Sequence, residues 1–368
     1  MQCSKCIMDS KNDPDLKLNN FEICNHCLKY EESLKFLKSN YDHPERFIKL
    51  IEQIKSSTNS KYNCVIGISG GVDSTYLAYI AKLNGLKPLL VHCDNGWNSE
   101  LAVQNINNIC KFTGFDLETL VLDWEEFKDI QLSFFKANVV DLELPYDYAL
   151  MITVYKAALK YNIQYVLTGH NIATEGTYMP KSWRHTKMDI VNIKDIHKKY
   201  GKRRMKSFPH FSFVRQRFVD SKLTYLSPLN LIKLTQKEMK DVIAKEFDWR
   251  DYGGKHYENV FTRFYQGHIL KEKFKINKKI FHLSVLIQSN QITRDEALNR
   301  VAISDYPVEL MESDKLYVVK KLDMTIEEFE EYMKQPAVPH ENYKSINKYW
   351  ENYFTIVRRL KPIMFWRN

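Results

Sequence analysis

Between residues 61 and 235 the chain alternates short apolar runs with longer stretches of helical spacing. The runs are CVIGI (64–68), PLLVHC (88–93), ETLVL (118–122) and YVLTG (165–169). Near-continuous apolar strands separated by helices predict a parallel sheet covered on both faces, with helices at 74–84, 99–113 and 146–161. Residues 31–60 carry helical spacing instead (Leu34, Leu37; Phe47, Leu50, Ile51, Ile54), broken near Pro44 and ending in a Ser/Thr/Asn linker. After about residue 235 the strand signals fade. LTQKEMKDVIAKEF (234–247) sets Thr235 and Glu238 at capping-box spacing, and the remainder reads as mostly helical. Four parts are expected: a Cys-rich module (1–30), a helical linker (31–60), a doubly wound α/β domain (61–235) and a helical C-terminal region (236–368).

Composition narrows the class without choosing a function. At 368 residues, 44% hydrophobic and 27% charged, the chain fits a soluble globular protein with more than one core. No apolar stretch approaches the roughly 18 residues of a membrane span. The start, MQCSKCIMDS, has neither the basic residues nor the apolar core of an export signal, so cytoplasm is the expected compartment. A net charge of +9 permits nucleic acid, membrane surfaces or small anions as partners and selects none of them.

Four of the seven cysteines lie in two CxxC pairs, Cys3/Cys6 and Cys24/Cys27. That spacing predicts a four-thiolate zinc site. Some 30 residues cannot bury a useful core alone, whereas a structural Zn²⁺ supplies roughly 10–16 kcal/mol of apparent binding energy. A closed four-ligand site leaves no position for a substrate, so the zinc is expected to be structural.

The run CVIGI leads into SGGVDS and then TYLAYIAKL: a strand, a glycine-rich turn and a helix start. Free N–H groups and the dipole at a helix N-terminus favour a bound anion. Gly70 and Gly71 let backbone approach it, and Ser69 and Ser74 add hydroxyl donors. No lysine follows, and Asp73 would repel a bare phosphate, which points to a bridging Mg²⁺. SGGVDS resembles the SGGxDS pyrophosphate loop of the PP-loop ATP pyrophosphatases (adenine nucleotide alpha hydrolase-like), which include asparagine, NAD and GMP synthetases, argininosuccinate synthetase and tRNA thiolases. The resemblance implies that Ser69, Gly70, Gly71, Asp73 and Ser74 hold the pyrophosphate half of ATP while AMP passes to an acceptor oxygen. Asp94, with Asn95 and Gly96 at the end of the second strand, would suit the nucleoside. TGHNIATEG (168–176) is similar to the segment in which Gly169, His170 and Asn171 would face the phosphates and Glu175 would hold Mg²⁺. The thiolases carry paired aspartates there, where this chain has Ile172, Ala173 and Thr174. The basic run Lys202, Arg203, Arg204, Lys206 would be either a lid over leaving pyrophosphate or a solvated loop.

A last segment, WRDYGGKHYENVFTRFYQGHILKEKF (249–274), admits two readings. Phe261, Phe264 and Tyr265 could pack a core, or the polar residues could face a cleft that holds a sugar acid. With the CxxC pairs, the SGGxDS loop, CDNGWNSE and TGHN in this order, it resembles the N-acetyl sugar amidotransferases of bacterial surface-polysaccharide and flagellar-glycan biosynthesis, over residue 1 to about 300. That resemblance implies adenylation of an N-acetyl carbonyl oxygen by Mg-ATP, attack by ammonia, and an acetamidino product. Lys255, His256 and Arg263 would bind the acceptor, and His256 or Glu258 would take a proton from ammonia. Pseudaminic acid, legionaminic acid and a diacetamido-mannuronic nucleotide sugar all fit as acceptors. No cysteine sits in a glutaminase setting, because Cys3 belongs to the zinc set and Cys64, Cys93 and Cys110 lack glycine elbows. Ammonia is therefore expected from a separate glutaminase–synthase partner pair, with neither membrane nor nucleic acid as partner. The alternatives are a PP-loop tRNA sulfurtransferase and a non-catalytic zinc-ribbon nucleic-acid binder.

Overall fold

Five parallel strands form one sheet in the order β3-β2-β1-β4-β5 in the computed structural model, which describes residues 1–57, 61–176, 179–254, 256–303 and 306–348. The strands are β1 (Cys64–Gly67), β2 (Pro88–Asp94), β3 (Leu117–Val121), β4 (Tyr165–Leu167) and β5 (Thr224–Leu226). Four of them are the apolar runs of the sequence. β5 adds a three-residue edge strand, too short to announce itself by pattern. Strand order reverses between β1 and β4, and in doubly wound sheets ligands gather at the carboxyl ends of the strands beside that switch.

Alternation along β1 divides the core between the two faces. Cys64 and Ile66 pack with helices Val72–Leu83, Glu100–Thr113 and Gln236–Phe247; Val65 packs on the other side with helix Leu144–Lys160 and much of the C-terminal region. The capping box at Thr235 and Glu238 forms as expected, each side chain satisfying the other's backbone N–H. The C-terminal region is helical through Lys278–Gln288, Arg294–Ala302, Val308–Lys321 and Ile326–Lys334. Among the described residues no helix is long and apolar enough to cross a membrane.

The Cys-rich module is a small ribbon with antiparallel bridges at Gln2–Asp9 and Leu18–Cys24. It continues directly into helix Asn25–Tyr41, whose cap is the Cys24 side chain. The basic run 198–206 is tied down rather than loose. Asp129 accepts the backbone N–H groups of Lys202 and Arg203, and Glu126 accepts those of Lys206, Ser207 and Phe208.

Candidate functional site

The glycine turn after β1 is shaped by groups far away in the chain. Gly70 adopts φ +81°, and its carbonyl accepts hydrogen bonds from Trp249 Nε1 (2.8 Å) and Tyr252 Oη (2.9 Å). A Cβ on Gly70 would stand 2.9 Å from the Tyr252 hydroxyl and 3.0 Å from the Ala102 carbonyl. Neither conformation nor space admits a side chain. Gly71 then caps helix Val72–Leu83 without any side-chain hydrogen bond, which leaves the first N–H groups facing outward. Ser69 and Ser74 close the turn with hydroxyls 3.3 Å apart. From β4, Gly169 comes so near that a Cβ there would meet the Ser74 nitrogen at 2.9 Å. The result is a cavity of about 330 Å³ lined by Ser69, Gly71, Asp73, Ser74 and Gly169 and by Trp249 and Tyr252. Its N–H groups and hydroxyls would cradle an anion, and the carboxylates of Asp73, Glu175, Asp251 and Glu258 around them call for a cation to accompany it.

A second cavity of about 440 Å³ adjoins it and shares four residues with it: Ser69, Glu175, His256 and Glu258. The loop after β2 brings Glu258 there. Ser99 N donates to the Glu258 carbonyl and Val260 N to the Trp97 carbonyl, a short antiparallel bridge centred on Asn98 and Asn259. A Cβ on Gly71 would lie 3.5 Å from Glu258 Oε1, so this carboxylate stands directly over the turn. His256, at φ +64°, holds Nδ1 3.8 Å from Glu258 Oε1, and His170 Nδ1 is 3.3 Å from Glu175 Oε2. The shared wall thus holds the His256–Glu258 pair and Glu175, whose partner His170 stands on the side of the larger cavity, beside an N–H-rich turn.

The rest of the larger cavity is charged and aromatic. Lys187 Nζ lies 2.8 Å from Asp141 Oδ1 and 2.7 Å from Asp147 Oδ2. Burial pushes the Asp141 carboxyl up, but the Lys187 ammonium outweighs it and holds the group below the ordinary carboxylate range. Lys278 sits 4.0 Å from Glu143, whose carboxylate accepts from Gln266 Nε2 at 3.0 Å. Burial lowers the Lys278 ammonium and raises the Glu143 carboxyl, because neither charge is fully compensated there. Trp183, Tyr265 and Phe281 supply flat apolar surface, and Arg184 adds a guanidinium. A π-helical turn at Tyr265–Ile269 extends helix Val260–Phe264, and Thr262, Tyr265 and Gln266 line the cavity from this stretch. Such a cavity suits a polar, ring-shaped molecule.

Most residues singled out in the sequence converge on these two cavities. Gly70 shapes the turn from beneath. Asn171 caps the short helix Ile172–Glu175 through Oδ1 and lines neither cavity. Asp94 also stands outside both, accepting from Gly96 N and Asn98 Nδ2 within its own turn. Arg263 forms a two-bond clamp with Asp314, both contacts 2.7 Å, reinforced by the Tyr306 hydroxyl on the same carboxylate. Phe261, Phe264 and Tyr265 are buried, as the core reading of 249–274 expected, while His256, Glu258, Thr262 and Gln266 from the same segment line the larger cavity. Lys255 lies outside the described residues. Lys202, Arg203, Arg204 and Lys206 line neither cavity. Sequence reasoning missed Asp141, Glu143, Asp147, Arg184, Lys187 and Lys278. Only the acidic cluster DLELPYD (141–147) gave any hint.

The four N-terminal cysteines are buried, and their sulfurs all lie within 4.8 Å of one another. Cys3–Cys27 and Cys6–Cys24 are 3.8 and 3.7 Å apart. Zn–S bonds of 2.3 Å in a tetrahedron require sulfur–sulfur edges of about 3.8 Å, so the set fits a single tetrahedral ion. Among the described residues it is the only group of His, Cys, Asp and Glu side chains so converged.

Residues 258–358 match the family model described as LPS biosynthesis protein WbpG-like, C-terminal domain. A stretch of 176 residues is 26% identical to the uncharacterized protein MJ1599 of Methanocaldococcus jannaschii, covering 47% of this chain and 60% of that protein. Another of 87 residues is 31% identical to the tRNA(Ile)-lysidine synthase of Chlamydia pneumoniae, covering 23% and 27%. The chain thus spans less than two thirds of either relative. Similar solved structures include the NH3-dependent NAD synthetase from Campylobacter jejuni, with 15% identity, TM-score 0.35, and coverage of 80% of this chain and 96% of that one. The U34-tRNA thiolase NcsA from Methanococcus maripaludis with its 4Fe–4S cluster is 12% identical, with TM-score 0.31 and coverage of 79% and 87%.

Proposed function

We propose that the chain is an ATP-dependent enzyme that turns the N-acetyl group of an acidic acetamido sugar into an acetamidino group, a reading in keeping with the match of residues 258–358 to a model described from LPS biosynthesis. One observation carries the reading: an anion cradle and a charged, aromatic-lined cavity meet at a common wall of Ser69, Glu175, His256 and Glu258. A nucleotide in the first and a sugar in the second would bring an α-phosphate and a carbonyl oxygen together at that wall.

In the first step the amide oxygen attacks the α-phosphorus and pyrophosphate leaves, its charge received by the helix N-terminus and the Ser69 and Ser74 hydroxyls. Ammonia then adds to the imidate carbon. The C–O bond breaks, AMP departs with the former carbonyl oxygen, and the amidine remains. Protons shed by the amide and the ammonia pass to His256 or Glu258 at the shared wall. Asp73, Glu175 and Glu258 are the carboxylates that would hold Mg²⁺. They do not converge into a closed cage, which suits an ion that keeps its waters and binds mainly through substrate phosphates. When bound, it would screen the pyrophosphate from these same carboxylates. On the acceptor side Lys278, Lys187 and Arg184 take the role that the sequence suggested for Lys255 and Arg263. The Cys3/Cys6/Cys24/Cys27 ion would be a structural zinc. Ammonia would come from a separate glutaminase partner, since Cys64 and Cys93 are buried, with the Cys93 thiol pushed up to about 12 by burial.

That burial also weighs against sulfur transfer to tRNA, because Cys64, Cys93 and Cys110 line neither cavity. The test supplies ATP, Mg²⁺ and ammonium with a panel of acetamido sugar acids, free and nucleotide-linked. AMP and pyrophosphate released in step with a product whose mass reports oxygen exchanged for NH supports the proposal. Turnover stimulated by tRNA and indifferent to every sugar would overturn it.

A further inference from the structure

The four cysteine sulfurs each receive an N–H group, and one of the donors is out of place. Cys3 accepts from Cys6 N and Cys24 N, Cys6 from Met8 N, and Cys24 from Cys27 N, all backbone groups within the module. Cys27 instead accepts from Gln288 Nε2 at 3.1 Å, across 261 positions of sequence. Gln288 is buried and is the last residue of helix Lys278–Gln288. That helix lends Lys278, Phe281 and His282 to the larger cavity.

The module grips the same side of the cavity at other points. Ile7 N donates to Ser284 Oγ, one helical turn before Gln288 and on the same face. Arg294 Nε, just beyond the helix, donates to the Cys6 carbonyl at 3.2 Å. The Asn12 side chain accepts from Asn277 N, at the helix cap, while its carbonyl accepts from Trp183 Nε1. Tyr30 Oη donates to the Ile172 carbonyl, at the start of the helix that carries Glu175. Lys278, Phe281, Trp183 and Glu175 therefore stand on elements fastened to the module. The cradle's Gly70, by contrast, is fixed by Trp249 and Tyr252.

We infer that Gln288 is an outer ligand of the cysteine-bound ion, and that through it metal occupancy positions the acceptor wall, Glu175 of the common wall included, and leaves the glycine turn of the cradle unaffected. The acceptor half of this statement rests on the function proposed above; the metal half does not. An N–H donor to a thiolate stabilises its charge, and loss of such an outer partner typically costs 10–100-fold in metal affinity. Gln288 is a positioning residue, touching neither nucleotide nor sugar.

Gln288→Glu keeps the side chain's shape and removes the donor; Gln288→Leu removes polarity altogether. Each variant of the full chain is loaded with Zn²⁺ and challenged with a chromogenic chelator, and amide hydrogen exchange is followed over 172–176 and 278–288. Expected are zinc release at least tenfold faster than in the parent, faster exchange in both segments, and unchanged exchange over 72–83. With an accepted sugar, its KM rises at least fivefold and by several times more than KM for ATP. Unchanged zinc release in both variants overturns the inference. So does faster release with unaltered exchange at 278–288, or an equal rise of both KM values. If the parent turns over no acetamido sugar the proposed function fails, and zinc release and exchange still decide the role of Gln288.

Discussion

The two adjoining cavities are made of different material. The smaller is largely backbone: a left-handed glycine, an uncapped helix start and a second glycine pressed against Ser74. The larger is side chains drawn from separate segments around 141–147, 183–187, 256–266 and 278–282, with charges of both signs partly compensated inside it. Backbone N–H groups recognise phosphate whatever the neighbouring sequence, so the first cavity tolerates little variation and needs little specificity. The second can change what it accepts by single substitutions that leave the first intact.

The largest effect that would test this contrast comes from the cradle. Gly70→Val forces a branched side chain onto φ +81° and into the Tyr252 hydroxyl. ATP-dependent turnover should fall by about 10³-fold, the cost of losing aligned donors, while calorimetric binding of the acceptor persists. Loss of acceptor binding as well would show the cavities to be one mechanical unit. Lys187→Met should act in the opposite sense. It strands the buried Asp141 without its cation, and because Lys187 and Asp147 are partly exposed the loss should be about 1–3 kcal/mol, below that of a fully buried pair. Chemical denaturation should report that loss, and Lys187→Met with Asp141→Asn should recover part of it. Recovery absent altogether would mean the pair is not the source.

A smaller effect concerns pH. His340 Nε2 accepts the Asp141 backbone N–H and its Nδ1 stands 2.8 Å from Asn192 Oδ1, an arrangement that requires the neutral ring. Burial brings its pKa down from 6.5 to about 3. A base with a lowered folded pKa is protonated more readily in the unfolded chain, so this residue stabilises the fold less and less as pH drops from 6.5 towards 3. The slope approaches about 1.4 kcal/mol per pH unit. His340→Gln should flatten stability against pH in that window; an unchanged slope would assign it to other groups. Smallest of all, Arg204→Ala should leave both KM values within twofold. A tenfold rise for ATP would restore the lid that the sequence allowed.

What could be read from the sequence follows the same division. SGGVDS is contiguous, because a turn that clears backbone for an anion must place its glycines and hydroxyls within one strand–helix junction. The CxxC pairs are legible for the same reason, as knuckles a few residues long. Lys278 and Glu143 face each other only after the chain has folded, and the acidic run 141–147 gives no sign of a lysine 135 positions away. Arg263 shows the same limit from the other side: the resemblance implied an acceptor ligand, and its clamp on Asp314, 51 positions away, has no mark in the local sequence. β5 escaped notice because three residues at a sheet edge are below the reach of periodicity.

The bridge between Asn98 and Asn259 has a consequence for descent. The stretch that matches a C-terminal domain family begins at Glu258, one residue before the bridge and inside the wall common to both cavities. A recombination event that replaced this stretch wholesale would therefore exchange a carboxylate standing over the glycine turn together with one side of the larger cavity, Thr262, Tyr265, Gln266, Lys278 and Phe281, and leave Asp141, Arg184 and Lys187 behind. The seam between old and new would run through the cavity itself. Chimaeras joined at residue 257 should then change both cavities, and neither completely.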